Sequence, residues 1–215
     1  MFGLVKTASP YPFELFLTLI ITTFTLCLSQ AHDPVFLQKT LPIFLLVLGS
    51  TLQILNSVKQ LDREFSSGCL ALFLSCGVSP QRFILKKLWG KITYESLPLS
   101  MFIALILQAY GYEFTISFTV FFIVSIFTQS LSLILATLRI QHRISSVFGV
   151  FLLWPFLIPV FLMSLFILGT DINSQETMMN TLFGDMIFMM FALSLVMLGI
   201  VLLLTPRLLR LTFEG

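Results

Sequence analysis

The chain has 215 residues and a formal net charge of +2; 57% of its residues are hydrophobic and only 10% are charged, where a soluble domain carries about 25% charged residues. So little charge cannot solvate a water-facing surface of this size, which excludes a soluble globular domain, a disordered chain and a nucleic-acid binder. The apolar runs are long and continuous rather than short and alternating, so a barrel is also excluded and a polytopic all-α integral membrane protein is left.

Six runs reach spanning length, about 20 residues. They cover 13–30, 41–58, 88–109, 114–138, 147–168 and 186–206. The fourth is long enough to tilt. The first lies between Lys6 and Ser29-Gln30-Ala31, an order that also fits a cleavable signal peptide. Cleavage would leave five spans in the same orientation. The N-terminal tail, the second loop, the fourth loop and the C-terminal tail hold eleven of the twelve Lys and Arg residues; the opposite side holds only Lys39. The positive-inside rule therefore places both termini and the even loops in the cytoplasm. The odd loops carry Asp33, Glu113, Asp171, Glu176 and Asp185. No internal repeat or low-complexity linker divides the chain, so a single transmembrane domain over 1–215 is expected.

Pro42 is expected to open the second span, where its missing N–H costs nothing. The loop 59–87 is the longest water-facing segment. Within it Leu61, Phe65, Cys69, Leu72 and Cys76 recur at helical spacing as one apolar stripe. Asp62, Arg63, Ser66 and Ser67 lie off that stripe. The pattern predicts a short amphipathic helix between spans two and three, interrupted at Gly68 and ended by Gly77 and Pro80. Such a helix either rests on headgroups or sits in a partner's groove. Ser79-Pro80 reads as an N-cap followed by proline at the first helical position. The third helix thus starts at Pro80 and enters the membrane near Leu88, with Arg82 and Lys86 along the headgroup layer.

Chemistry-bearing residues are few. Glu95 follows Lys91 by four residues, which predicts a local ion pair. As a charge inside a span it is also a pathway candidate. Pro98, Pro155 and Pro159 lie in spans three and five, and the latter two predict a kink. His32 is either a haem-iron ligand or a solvated loop histidine, and His142 faces the other compartment. Cys27, Cys69 and Cys76 lack metal-ligand spacing and read as small buried apolar residues. Met178, Met179, Met186, Met189 and Met190 read as lipid-facing or packing residues rather than a soft-ligand site. The chain has no GxxxxGK[ST], HExxH or GxSxG. It is expected to be a non-catalytic subunit without a metal.

Several segments together resemble the haem exporter protein B family (CcmB), the six-span permease subunit of an ABC-type complex in cytochrome c maturation. Glu64-Phe65-Ser66-Ser67-Gly68-Cys69-Leu70 is similar to the family's acidic and apolar segment ending in Asp-Gly-small-Leu. Leu74-Ser75, Ser79-Pro80 and Lys87 are similar to the family's downstream Leu/Ser-Pro and lysine, and Leu97-Pro98-Leu99 to its Pro-Leu pair. Trp154-Pro155-Phe156-Leu157-Ile158-Pro159-Val160 resembles its Leu-Pro-Leu-x-Ile-Pro-Val stretch. The likeness covers about residues 35–165. Ser66 and Ser67 depart from it, where the family has acidic positions, as does Gln141-His142-Arg143, where it has a basic, glycine-rich turn.

The resemblance implies an ABC-2-type permease fold with a cytoplasmic coupling helix. It implies a partner ATPase (CcmA-like) that binds ATP, a haem-handling membrane protein (CcmC-like) and a haem chaperone (CcmE-like). On it, Glu64, Phe65, Gly68, Leu70 and Leu72 contact the ATPase. Haem is then cargo, or ATP drives release of the haem-loaded chaperone; the chain shows no haem-ligand pair, which favours release. A bacterial inner membrane or a mitochondrial inner membrane fits, as does a second copy in the complex. Two other readings share the composition: an ABC-2-type exporter of lipid, polysaccharide or drug, and a non-transporting membrane assembly scaffold.

Overall fold

The computed structural model describes residues 34–214 apart from 70, 71, 73, 74, 78, 143–145 and 174–176. The expected first span, with Cys27 and His32, lies outside the described residues, and so does Leu70. The described chain is helical, with no strand. Its helices are α1 (Pro34–Ser66), α2 (Pro80–Lys91), α3 (Leu97–Ala109), α4 (Phe114–His142), α5 (Ser146–Asn173) and α6 (Thr177–Glu214). A π turn, Ile92–Ser96, joins α2 to α3, so Pro80–Ala109 is one continuous helix.

Four helical stretches are long and apolar enough to cross a membrane: Thr40–Ser66, Pro80–Ala109, Phe114–Arg139 and Gly184–Leu209. The chain is a helical membrane protein. In α5 the described apolar stretch, Leu153–Gly169, is shorter. Of the six expected spans, four are therefore found among the described residues.

Three boundaries differ from the sequence reading. α1 starts at Pro34, so Pro42 lies inside it. Residues 59–66, expected in a separate interfacial helix, are the last two turns of α1. α6 runs past Pro206 to Glu214. Proline inside an apolar helix is tolerated because neighbouring helices and local adjustments re-satisfy the freed backbone groups. Pro155 and Pro159 are likewise carried within α5.

The expected start at Pro80 holds. Ser79 has extended backbone angles, and its hydroxyl accepts from the Arg82 N–H at 3.4 Å. At the far end, α3 closes in a Schellman motif. The Gly111 N–H bonds to the Gln108 carbonyl at 3.1 Å, and the Tyr112 N–H to the Leu107 carbonyl at 3.2 Å. Gly111 has φ 92°, which a side chain disfavours. Tyr112 and Leu107 are both buried there.

The π turn has a local cause. Pro98 has no N–H, and its ring would meet the carbonyl four residues back in a regular α-helix. The turn widens instead, and the Leu97 N–H bonds to the Ile92 carbonyl five residues back. The inward-facing residues are Ile84, Leu88 and Lys91 before the turn and Ser96, Ser100, Ile103 and Leu107 after it. The step from Lys91 to Ser96 is five, one more than an α-turn supplies. The π turn thus keeps a single inward stripe.

α4 is the most buried span and α6 the least. α4 packs against α1, α3, α5 and α6. Several of its hydroxyls are satisfied within the helix: Thr128 donates to the Val124 carbonyl at 2.8 Å and Ser130 to the Ile126 carbonyl at 2.9 Å, whereas the buried Ser117 hydroxyl has no partner among the described residues. That back-bonding lets hydroxyls sit in an apolar interior without stranded donors. Ion pairs from Asp62 to Arg139 and from Glu64 to Lys87 tie the end of α1 to the end of α4 and to α2.

Gly111→Ala should lower unfolding stability by about 1 kcal/mol, from the left-handed backbone alone. Gly199→Ala, in a helix with open space around it, should be neutral or raise stability by up to about 1 kcal/mol. Denaturant titration of the two purified variants in mild detergent checks both.

Candidate functional site

Functional side chains gather in two places: inside the helical bundle, and at the turn after α1.

The interior site begins with helical spacing. Ser50, Gln53 and Ser57 lie three and four residues apart on one face of α1. Ser125, Thr128, Gln129 and Ser132 do the same on α4. All seven are buried, and the two rows face each other. Gln53 donates from Nε2 to the Ser125 hydroxyl at 2.5 Å. Thr128 and Ser50 hydroxyls stand 3.5 Å apart. In lipid, small and hydroxyl-bearing residues let helices approach and bond across the interface.

The continuous Pro80–Ala109 helix adds charge to this seam and closes a ring. Lys91, only 3% exposed, donates from Nζ to the Ser57 hydroxyl at 2.6 Å. Ser57 donates onward to Gln129 Oε1 at 2.9 Å. Gln129 donates from Nε2 to Glu95 Oε2 at 3.2 Å. Glu95 Oε2 stands 3.9 Å from Lys91 Nζ. The expected Lys91–Glu95 pair is present, and two other helices share it. Ammonium and carboxylate are thus compensated and hydrogen-bonded, which a buried charge requires. Beside the seam, Gly49, Ser50, Gln53, Ser100 and Ser125 border a cavity of about 10 Å³, room for one water.

The second place is the end of α1. Gly68 turns the chain with φ 69°. Beyond it, the Leu72 N–H bonds to the Gly68 carbonyl and the Cys76 N–H to the Leu72 carbonyl, each at 3.0 Å. The expected stripe divides here. Leu61 is buried in the bundle, whereas Phe65 is 38% and Leu72 64% exposed, and Cys69 and Cys76, expected to be buried, are exposed with them because they lie beyond the packed end of α1. Glu64 pairs with Lys87, and Lys87 Nζ also lies 5.8 Å from the centre of the Phe83 ring. This turn presents apolar side chains on a base fastened to the third helix.

The other candidates lie apart from these groups. Pro98, Pro155 and Pro159 are exposed on outward faces. Trp154 meets Phe161 edge-on at 6.1 Å. Met189 is exposed, whereas Met190 is buried with its sulfur 3.9 Å from the Ser164 hydroxyl. Among the described residues no three His, Cys, Asp or Glu side chains gather as a metal site would need.

Sequence reading found Lys91 and Glu95 but missed Ser57, Gln129 and the seam. The signal was polar residues at helical spacing within apolar runs. No known family, no curated protein and no solved structure matches the chain.

Lys91→Met should cost about 3 kcal/mol of unfolding stability, because it leaves a carboxylate without its cation. Lys91→Met combined with Glu95→Gln should recover more than half of that loss, since Gln129 keeps an acceptor. Equal losses in the two variants, measured by unfolding in mild detergent, would contradict a shared ring.

Proposed function

We propose that this chain is the membrane permease subunit of an ABC-type complex in cytochrome c maturation. It couples ATP hydrolysis in a partner ATPase to haem export or to release of a haem-loaded chaperone. The chain itself is non-catalytic.

The exposed turn at Gly68 carries this reading. Phe65 and Leu72 are large apolar side chains exposed around the turn, and an apolar groove in a partner would cover them. Gly68 lets that partner approach closely. Glu64 and Lys87 fasten the turn to the third helix, so force applied at the turn reaches two spanning helices at once. Leu70 belongs to the same segment by sequence. The link to cytochrome c maturation rests on the resemblance of residues 64–70, 97–99 and 154–160 to the haem exporter protein B family. That reading supplies the remaining partners, a haem-handling membrane protein and a haem chaperone. It also supplies an inner-membrane location and leaves room for a second copy of the chain in the complex, while the distribution of Lys and Arg puts both termini in the cytoplasm.

Phe65→Asp is the test. The variant should insert in the membrane and unfold like the parent, because Phe65 lies outside the packed interior. It should lose the co-purifying ATPase. Normal ATPase recovery with this variant would sink the coupling role of this turn, and no ATPase recovered with the parent would favour a scaffold. An ATPase recovered with the parent but without haem-handling proteins would keep the permease and replace the cargo with that of an ABC-2-type exporter.

A further inference from the structure

The outward face of α2 serves neither the ring nor the Gly68 turn. Arg82, Lys86, Trp89 and Thr93 are spaced by four, three and four residues, which places them along one face. All four are exposed, and Trp89 is 62% so. They lie opposite the buried row of Ile84, Leu88 and Lys91. Further along the same continuous helix the exposed side chains become Tyr94, Leu97, Met101 and Leu105. In one direction the surface passes from two cations, through an indole and a phenol, to hydrocarbon.

The dimensions fit one leaflet. At 1.5 Å per residue, Arg82 stands about 10 Å before Trp89, and Met101 about 18 Å beyond it. Half the hydrocarbon core is about 15 Å, with several ångströms of headgroup outside it. Tryptophan and tyrosine sit by preference at the boundary between the two. α6 packs on the other, buried face of α2, through Val201 and Leu209 against Ile84 and Leu88, and leaves the strip uncovered.

We propose that the outward face of the continuous Pro80–Ala109 helix binds an anionic glycerophospholipid. Arg82 and Lys86 take its phosphate, and guanidinium suits a phosphate oxygen pair. Trp89 and Tyr94 lie beside the glycerol region. Leu97 and Met101 lie against the acyl chains. An acidic protein surface would match the cations alone; the unbroken continuation into aromatic and aliphatic side chains matches a lipid.

The test uses the full chain in nanodiscs of equal phosphatidylglycerol and phosphatidylcholine, released and weighed by native mass spectrometry. Retained lipid should be mainly phosphatidylglycerol. Arg82→Gln and Lys86→Gln should each cut that preference about fivefold, and Lys86→Arg should keep it. Lys59→Gln removes an exposed cation of α1, away from the strip, and should change nothing. An equal loss in Lys59→Gln would reduce the effect to general surface charge and overturn the site. So would complete displacement of the lipid by millimolar inorganic phosphate, since acyl contacts would then contribute nothing. Unchanged selectivity in the Arg82→Gln, Lys86→Gln double variant, with loss of a co-purifying protein, would assign the strip to a protein instead.

Discussion

The bundle depends on how it keeps one ammonium and one carboxylate inside an apolar interior. Lys91 and Glu95 sit on the same helix, but neither is satisfied by the other alone at 3.9 Å. Ser57 of α1 and Gln129 of α4 complete the circuit. Three helices are therefore fixed in register by a set of groups that all lose if one helix slides. An uncompensated charge in lipid costs several kcal/mol, so the ring penalises wrong registers more than it adds net stability. Apolar contacts alone would not do this, because lipid tails are as apolar as leucine.

The ring and the exposed turn lie on the same two helices. Ser57 and Phe65 are eight residues apart on α1, about 12 Å. Lys87, which holds Glu64, lies one turn before Lys91. Displacement of the Gly68 turn thus reaches the ring through both α1 and α2, and Gln129 passes it to α4, which packs against every other major helix of the bundle. On the proposed reading this is the route from a partner's ATP cycle into the membrane. The π turn after Lys91 sits where such a motion would be taken up, since π turns recur at functional positions in helices.

The sequence was legible where a single local rule decides. Composition identified a helical membrane protein, and Ser79-Pro80 marked a helix start that is observed. The spacing of Lys91 and Glu95 anticipated their pairing. Boundaries were less legible. Proline inside an apolar helix looks like an end, yet Pro42 and Pro206 are interior, because lipid surroundings keep the backbone helical whatever one residue loses. The stripe from Leu61 to Cys76 was periodic, but periodicity does not tell which residues continue a spanning helix. Leu61 belongs to the bundle, and Phe65 and Leu72 to the surface. The partners of Lys91 were hidden because Ser57 and Gln129 are 34 or more residues away in sequence. Only the packing of α1 on α4 brings them together.

The coupling role can be tested at the surface that is meant to carry it. A photo-crosslinking amino acid at position 72, activated in native membranes, captures whatever covers the Gly68 turn. The account predicts one dominant protein adduct containing an ATP-binding subunit. Adducts with lipid only would mean that the turn rests on the bilayer, and the coupling role would be wrong.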